Sequence, residues 1–156
     1  MIERTLADSQ ATEQLGAALA RSAPWSAPQA LVVHLQGDLG AGKTTLVRGL
    51  LRELGIEGAV RSPSFTLLET YACGAHTVLH ADLYRLAGSG DVASLGLRDE
   101  MRPGVLLLVE WPERATDSLP AADVELRLSM HGTGRRATLT DASAIGRAWL
   151  AANESS

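Results

Sequence analysis

Residues Gly37-Asp38-Leu39-Gly40-Ala41-Gly42-Lys43-Thr44 have the types and spacing that can hold a chain of phosphates. The pattern is G-x-x-x-x-G-K-[ST], in which backbone N–H groups converge on phosphate oxygens at an approach distance that a side chain would obstruct. Gly37, Gly40 and Gly42 supply that freedom. A helix opening at Lys43 adds the positive end of its dipole where the anion would sit. Lys43 is then expected to reach the β- and γ-phosphates and the Thr44 hydroxyl to ligate Mg²⁺, with Asp38, Leu39, Ala41 and Thr45 completing the nucleotide-binding run. Lys43 is the only lysine among 14 basic residues; all the others are arginine. A planar guanidinium cannot replace a compact ammonium wedged between phosphates, which accounts for a lysine surviving at this one position.

Turnover at such a cradle needs a second carboxylate near Mg²⁺ and a group that positions the attacking water. Asp82 ends the run Val78-Leu79-His80-Ala81-Asp82, and Glu110 ends the run Val105 to Val109. Both are candidates for the carboxyl edge of a sheet, where ligands of open α/β folds bind. Taken alone, either is equally an ordinary strand-end acid. Ser62-Pro63-Ser64-Phe65-Thr66 lies where a loop sensing the γ-phosphate would be, with Ser62, Ser64 and Thr66 as its hydroxyls; an ordinary strand entry reads the same way. Trp111 is either a lid or partner contact or an aromatic packed at a strand end. Arg135 can touch a nucleotide, although a charged hairpin turn is the simpler reading of Arg135-Arg136. Cys73-x-x-His76 is half of a zinc spacing with no second pair, and it is not read as a metal site.

The elements needed to position these residues are legible in order. Asp8 or Ser9 can cap a helix with Ala11, Leu15, Ala18 and Leu19 at helical spacing, ending before Ser22-Ala23-Pro24. Ala30 to Leu35 reads as a buried strand, and Thr44 to Leu54 as an amphipathic helix stopped by Gly55. Ser64 to Tyr71 and Thr77 to Asp82 read as strands around Ala72-Cys73-Gly74-Ala75, with a short helix after Gly90-Asp91. Val105 to Val109, the most hydrophobic run, reads as a central parallel strand. Val124 to Met130 and Arg136 to Thr140 flank His131-Gly132-Thr133-Gly134 as a late hairpin, and Ala142 to Ala151 closes as a helix. The expected class is α/β: a single-domain P-loop NTPase over residues 1–152, with a mainly parallel sheet flanked by helices and a late antiparallel hairpin. Residues 153–156 read as a flexible tail.

Composition bounds the partners. With 156 residues, 46% of them hydrophobic, one compact domain is expected. The 18 acidic residues outnumber the basic ones, so no bulk positive charge is available to grip a polyanion such as DNA. One cysteine permits no internal disulfide, no run approaches the roughly 20 apolar residues of a membrane span, and the first residues do not resemble a signal peptide. A cytoplasmic protein with no membrane association is expected.

Taken together, these pieces resemble the TsaE family (also called YjeE), the small ATPase of bacterial tRNA threonylcarbamoyladenosine synthesis. The resemblance runs from Asp8-x-x-Ala11-Thr12-x-x-Leu15-Gly16 to the late hairpin. It is carried by Gly37 to Thr45, Ser62 to Thr66, His80-Ala81-Asp82-Leu83-Tyr84-Arg85-Leu86 and Val109-Glu110-Trp111-Pro112. It implies an Mg-dependent ATPase whose turnover keeps a two-protein threonylcarbamoyl-transferase complex cycling, with tRNA met only indirectly. It implies further that Glu110 joins Thr44 at Mg²⁺ and that Asp82 and Trp111 support hydrolysis. The segment before Leu15, with Ser9 and Thr12, would lie near the adenine. Ser64 stands where the family usually has threonine.

Three other readings use the same cradle. A small-molecule or nucleotide kinase would want an arginine-bearing lid, for which the stretch from Arg85 to Arg102, with Arg98, is short. A GTPase switch usually carries an Asn-Lys-x-Asp motif, and the sole asparagine here is Asn153. A scaffold that binds ATP without turnover shares every feature of the loop.

Overall fold

The computed structural model describes residues 1–63, 66–86 and 95–154. The strands are β1 (Ile2–Leu6), β2 (Leu31–Gln36), β3 (Leu68–Cys73), β4 (His76–Asp82), β5 (Val105–Glu110), β6 (Val124–His131) and β7 (Gly134–Asp141). The α-helices are α1 (Ser9–Ser22), α2 (Lys43–Glu53), the single turn α3 (Leu97–Glu100) and α4 (Ala144–Glu154). One seven-stranded sheet has the order β1-β7-β6-β2-β5-β4-β3. Its centre, β6-β2-β5-β4, is parallel. Its margins, β1 with β7, β7 with β6 and β3 with β4, are antiparallel. The expected mainly parallel sheet with a late antiparallel hairpin is present, its parallel strands at the centre and its antiparallel pairs at the margins.

Strand alternation sorts the core into two layers. Val33 and Leu35 of β2, Leu106 and Leu108 of β5 and Val78 of β4 pack with Leu15, Leu19, Leu46, Leu50 and Trp149 of α1, α2 and α4. Val32, Leu79, Ala81, Leu107 and Val109 face the other way, with Leu83 and Leu97. Burial on both faces explains why β5 reads as an unbroken apolar run.

α1 and α2 cross with almost no side chain between their backbones. A Cβ on Gly16 would sit 2.9 Å from the Leu50 nitrogen, and one on Gly49 would sit 2.5 Å from Cα of Glu13. Only glycine allows this approach, and it presses the start of α1 against the start of α2.

Several boundaries differ from expectation. β1 lies in a segment to which the sequence analysis assigns no element; its pattern is weak, and pairing with β7 is what makes it a strand. β3 starts at Leu68, because Thr66 and Leu67 form a turn with Leu67 at φ 66°. The late hairpin turns on Gly132 and Thr133 alone, since His131 pairs with Gly134. Ser64, Phe65 and residues 87–94 lie outside the described residues; within the described part of the stretch after Gly90-Asp91, the expected short helix is seen as the single turn Leu97–Glu100. The C-terminal helix carries order past the tail boundary drawn at residue 153: it runs to Glu154 and Asn153 is buried, because the helix packs on α1 through Trp149, whose Nε1–H donates to the Leu19 carbonyl at 3.1 Å.

Candidate functional site

The glycine-rich run leaves the carboxyl end of β2 and enters α2 at Lys43. Gly42, the residue before the helix, has φ 105°, a backbone state strained for any side chain. Gly37 has φ 149°, and a Cβ there would lie 2.5 Å from the Leu128 carbonyl oxygen. The Asp38 carbonyl accepts from Ala41 N–H at 3.1 Å, which folds the loop over.

Arg135, at the start of β7, reaches back to this loop. Its Nε donates to the Ala41 carbonyl at 3.1 Å and its Nη2 to the Gly40 carbonyl at 3.0 Å. In a trans peptide, C=O and N–H point in opposite directions. Holding the Ala41 carbonyl on the β7 side therefore turns the Gly42 N–H away from it. These two bonds make Arg135 a brace on the loop.

Lys43 is 5% exposed. Its ammonium donates to the Gly37 carbonyl and lies 3.8 Å from the Trp111 ring centroid, a cation–π contact. Burial pushes its pKa below the ordinary lysine range, while Glu110, Asp82, Glu113 and Asp38 pull it upward. The acids come from neighbouring strands. Asp82 of β4 is the register partner of Glu110 of β5, so both project on the α2 side of the sheet. Along that face each strand changes from apolar to polar: Val78, His80, Asp82 on one and Leu106, Leu108, Glu110 on the other.

Both carboxylates are buried and held. Asp82 accepts from the Ser62 hydroxyl on Oδ2 and from Tyr84 N–H at 2.9 Å on Oδ1. Glu110 Oε2 lies 2.5 Å from Nε2 of His80. Trp111, next in the chain, is a non-glycine residue at φ 59°, a left-handed conformation costing about 1–2 kcal/mol. Its N–H donates to the Leu35 carbonyl at 3.3 Å, and Pro112 begins a short 3₁₀ turn behind it. The indole contacts Tyr84 at 4.9 Å between centroids.

Two cavities share the loop. One, about 230 Å³, is lined by Lys43, Thr44, Ser62, Asp82, Glu110 and Trp111. The other, about 330 Å³, is lined by Asp8, Ser9, Thr12, Thr133, Gly134 and Arg135. Gly40, Gly42 and Thr45 border both. The sequence-predicted residues thus divide between an acidic, lysine-bearing side and a neutral side made by α1 and the hairpin. Ser9 and Thr12 reach the loop because Asp8 caps α1, its Oδ1 accepting from Ala11 N–H at 2.9 Å, and because α1 is pressed on α2. Asp38 and Leu39 are exposed at the tip. Thr66 is outside the first cavity; its hydroxyl donates to Glu69 at 3.3 Å. Arg98 lines a different cavity, with Gln29, Val32 and Pro120 at the opposite ends of the central strands. It is not placed to serve as a lid over the loop.

Thr44, Asp82 and Glu110 offer hard oxygen donors in one cavity, suited to Mg²⁺. They are too few for an all-protein cage, which fits an ion completed by phosphate oxygens and water. His80 and Thr133 are the site residues that sequence reasoning passed over. His80 shares a strand face with Asp82, but its contact with Glu110 depends on the β4–β5 register, which no local pattern specifies. Thr133 stands in the tip of a hairpin and reaches the loop only through the β6–β7 fold.

A central β2 feeding a glycine loop and a helix, with acids at the ends of adjacent parallel strands, defines the P-loop NTPase fold. A family model, "Threonylcarbamoyl adenosine biosynthesis protein TsaE", matches residues 6–138, and the chain belongs to the TsaE family. It is 39% identical over 119 residues to the tRNA threonylcarbamoyladenosine biosynthesis protein TsaE of Haemophilus influenzae, covering 76% of this chain and 75% of that one. To the protein of that name from Synechocystis it is 44% identical over 117 residues, 72% of this chain and 71% of the relative. The crystal structure of YdiB from Bacillus subtilis superposes with a TM-score of 0.77 at 26% identity, over 99% of this chain and 94% of that one.

Proposed function

We propose that this chain is a cytoplasmic, Mg²⁺-dependent ATPase acting in the threonylcarbamoyladenosine modification of tRNA; its relatives are named for the biosynthesis of that modification. The observation that carries the chemistry is the convergence of Lys43, Thr44, Asp82 and Glu110 on one cavity beside the glycine loop. In this reading the phosphates lie along the loop and the base lies on the side lined by Ser9, Thr12 and Arg135. Lys43 exchanges the Gly37 carbonyl for a phosphate oxygen, and Thr44 and Glu110 hold Mg²⁺. The ion, when bound, neutralises charge on the β- and γ-phosphates. Asp82 keeps acceptor capacity beyond its bonds to Ser62 and Tyr84, because a carboxylate offers about four lone pairs. It orients the attacking water, and Trp111 closes the γ-phosphate side.

An acidic chain needs partners to meet tRNA, and the family resemblance supplies the two-protein threonylcarbamoyl-transferase complex of the pathway in that role. The test separates the two acids. Glu110→Gln should remove the Mg²⁺-dependent part of ATP binding, whereas Asp82→Asn should leave binding within about twofold and reduce turnover by about 100-fold or more. Equal and negligible effects would reduce both to strand-end acids. ADP release that required an added acceptor molecule would instead indicate a kinase.

A further inference from the structure

The polar face of β4 contains a residue that the proposed chemistry does not use. His80 is wholly buried, at 0% exposure, on the strand face it shares with Val78 and opposite Leu108 of β5, and Glu110 is 3% exposed. Nε2 of His80 lies 2.5 Å from Oε2 of Glu110, and Nδ1 has no hydrogen-bond partner among the described residues. An imidazole with one nitrogen unsatisfied is costly in such a place, where leucine or valine would fill the space without penalty. Among the described residues its side chain's one polar contact is with the carboxylate that faces Lys43 and Thr44 across the cavity.

We infer that His80 is a positioning residue for Glu110: it holds Oε2 against the sheet so that Oε1 is presented to the metal. The inference rests on the assignment of Glu110 to Mg²⁺ above. The physical reason is that a glutamate has three rotatable side-chain bonds, and a lone carboxylate at a strand end would sample several orientations. One short bond from a rigid ring on the adjacent strand selects among them. Partners behind a ligand commonly alter metal affinity by about 10–100-fold.

The test is isothermal titration with a non-hydrolysable ATP analogue, in Mg²⁺ and in EDTA, read as the ratio of the two dissociation constants. In His80→Leu the ratio should fall about tenfold or more, while affinity in EDTA and melting temperature stay near wild type. His80→Gln, whose amide nitrogen reaches about as far as imidazole Nε2, should restore the ratio. His80→Asn, which stops at the depth of Nδ1, should not, and this pair decides the matter if the leucine variant does not fold. A ratio lost in Glu110→Gln but kept in His80→Leu, or equal ratios for the glutamine and asparagine variants, would overturn the role of His80 alone. A wild-type chain with no Mg²⁺ dependence would overturn the metal assignment and this inference with it.

Discussion

Gly16→Ala sets two effects of opposite sign against each other. Gly16 lies inside α1, where alanine should be better by about 1 kcal/mol through helix propensity and reduced freedom of the unfolded chain. Against this, the added Cβ would stand 2.9 Å from the Leu50 nitrogen and 3.1 Å from the Leu46 carbonyl carbon, and closer still to the Leu46 oxygen. These are helix backbone atoms, so no rotamer change relieves the clash. α1 and α2 must separate by on the order of 1 Å, loosening the layer in which Leu15 and Leu19 meet Leu46 and Leu50. Overpacking of this kind costs about 1–3 kcal/mol, and backbone against backbone belongs at or above the upper end. The net expectation is a loss of about 2 kcal/mol, or a melting temperature lower by about 4–8 °C for a domain of this size. The shift also draws Ser9 and Thr12 away from Gly42 and Thr45, so ATP affinity should fall with stability. Gln14→Ala, exposed on the same helix, is the control and should be neutral or slightly stabilising. Gly49→Ala should behave like Gly16→Ala, and the double variant should cost less than the sum, because one separation relieves both contacts. A Gly16→Ala protein melting at or above wild type would refute the reasoning.

Three further outcomes follow from the same structure. Arg135→Ala should weaken ATP binding by about tenfold both in Mg²⁺ and in EDTA, since two charge-assisted bonds to the loop are lost; Arg135→Lys cannot span both carbonyls and should recover little. Calorimetry with unchanged affinity would leave the brace without a role in binding. His34 is buried and its pKa lies below the ordinary 6.5, chiefly through desolvation, against the opposing pull of the Pro120 carbonyl and Glu125. The unfolded chain therefore takes up the proton first, so this contribution to stability is complete above about pH 6.5 and declines as the pH falls toward and through the native value. His34→Gln should shrink the drop in melting temperature between about pH 7.5 and 5.5, and an undiminished drop would assign the acid sensitivity elsewhere. Lys43 carries the only side-chain amine, so ATP with Mg²⁺ should protect it from an amine-reactive label while Met1 stays reactive. Lys43→Arg should abolish turnover with the fold intact; near-normal activity would remove this lysine from the phosphates.

By itself the sequence determined the local parts: a glycine loop whose spacing admits few other uses, the strand before it and the helix after it. Periodicity was enough for α1, β2, α2, β5 and the late hairpin, because each has a strong apolar pattern bounded by proline, glycine or a capping residue. Asp82 and Glu110 could be picked out as strand-end acids, but only the parallel β4–β5 register made them neighbours on the α2 side of the sheet. The same register alone brought His80 to Glu110. Arg135 read as either a nucleotide contact or a charge on a hairpin turn, and only the fold of β6 and β7 carried it 94 residues back along the chain to the Ala41 carbonyl. Gly16 and Gly49 looked like ordinary helix residues, because the need for glycine there lies in the helix packed opposite. Local pattern encodes which face of an element is apolar. Which elements meet, and in what register, is settled by packing between residues far apart in the chain, and the candidate site is assembled from those meetings.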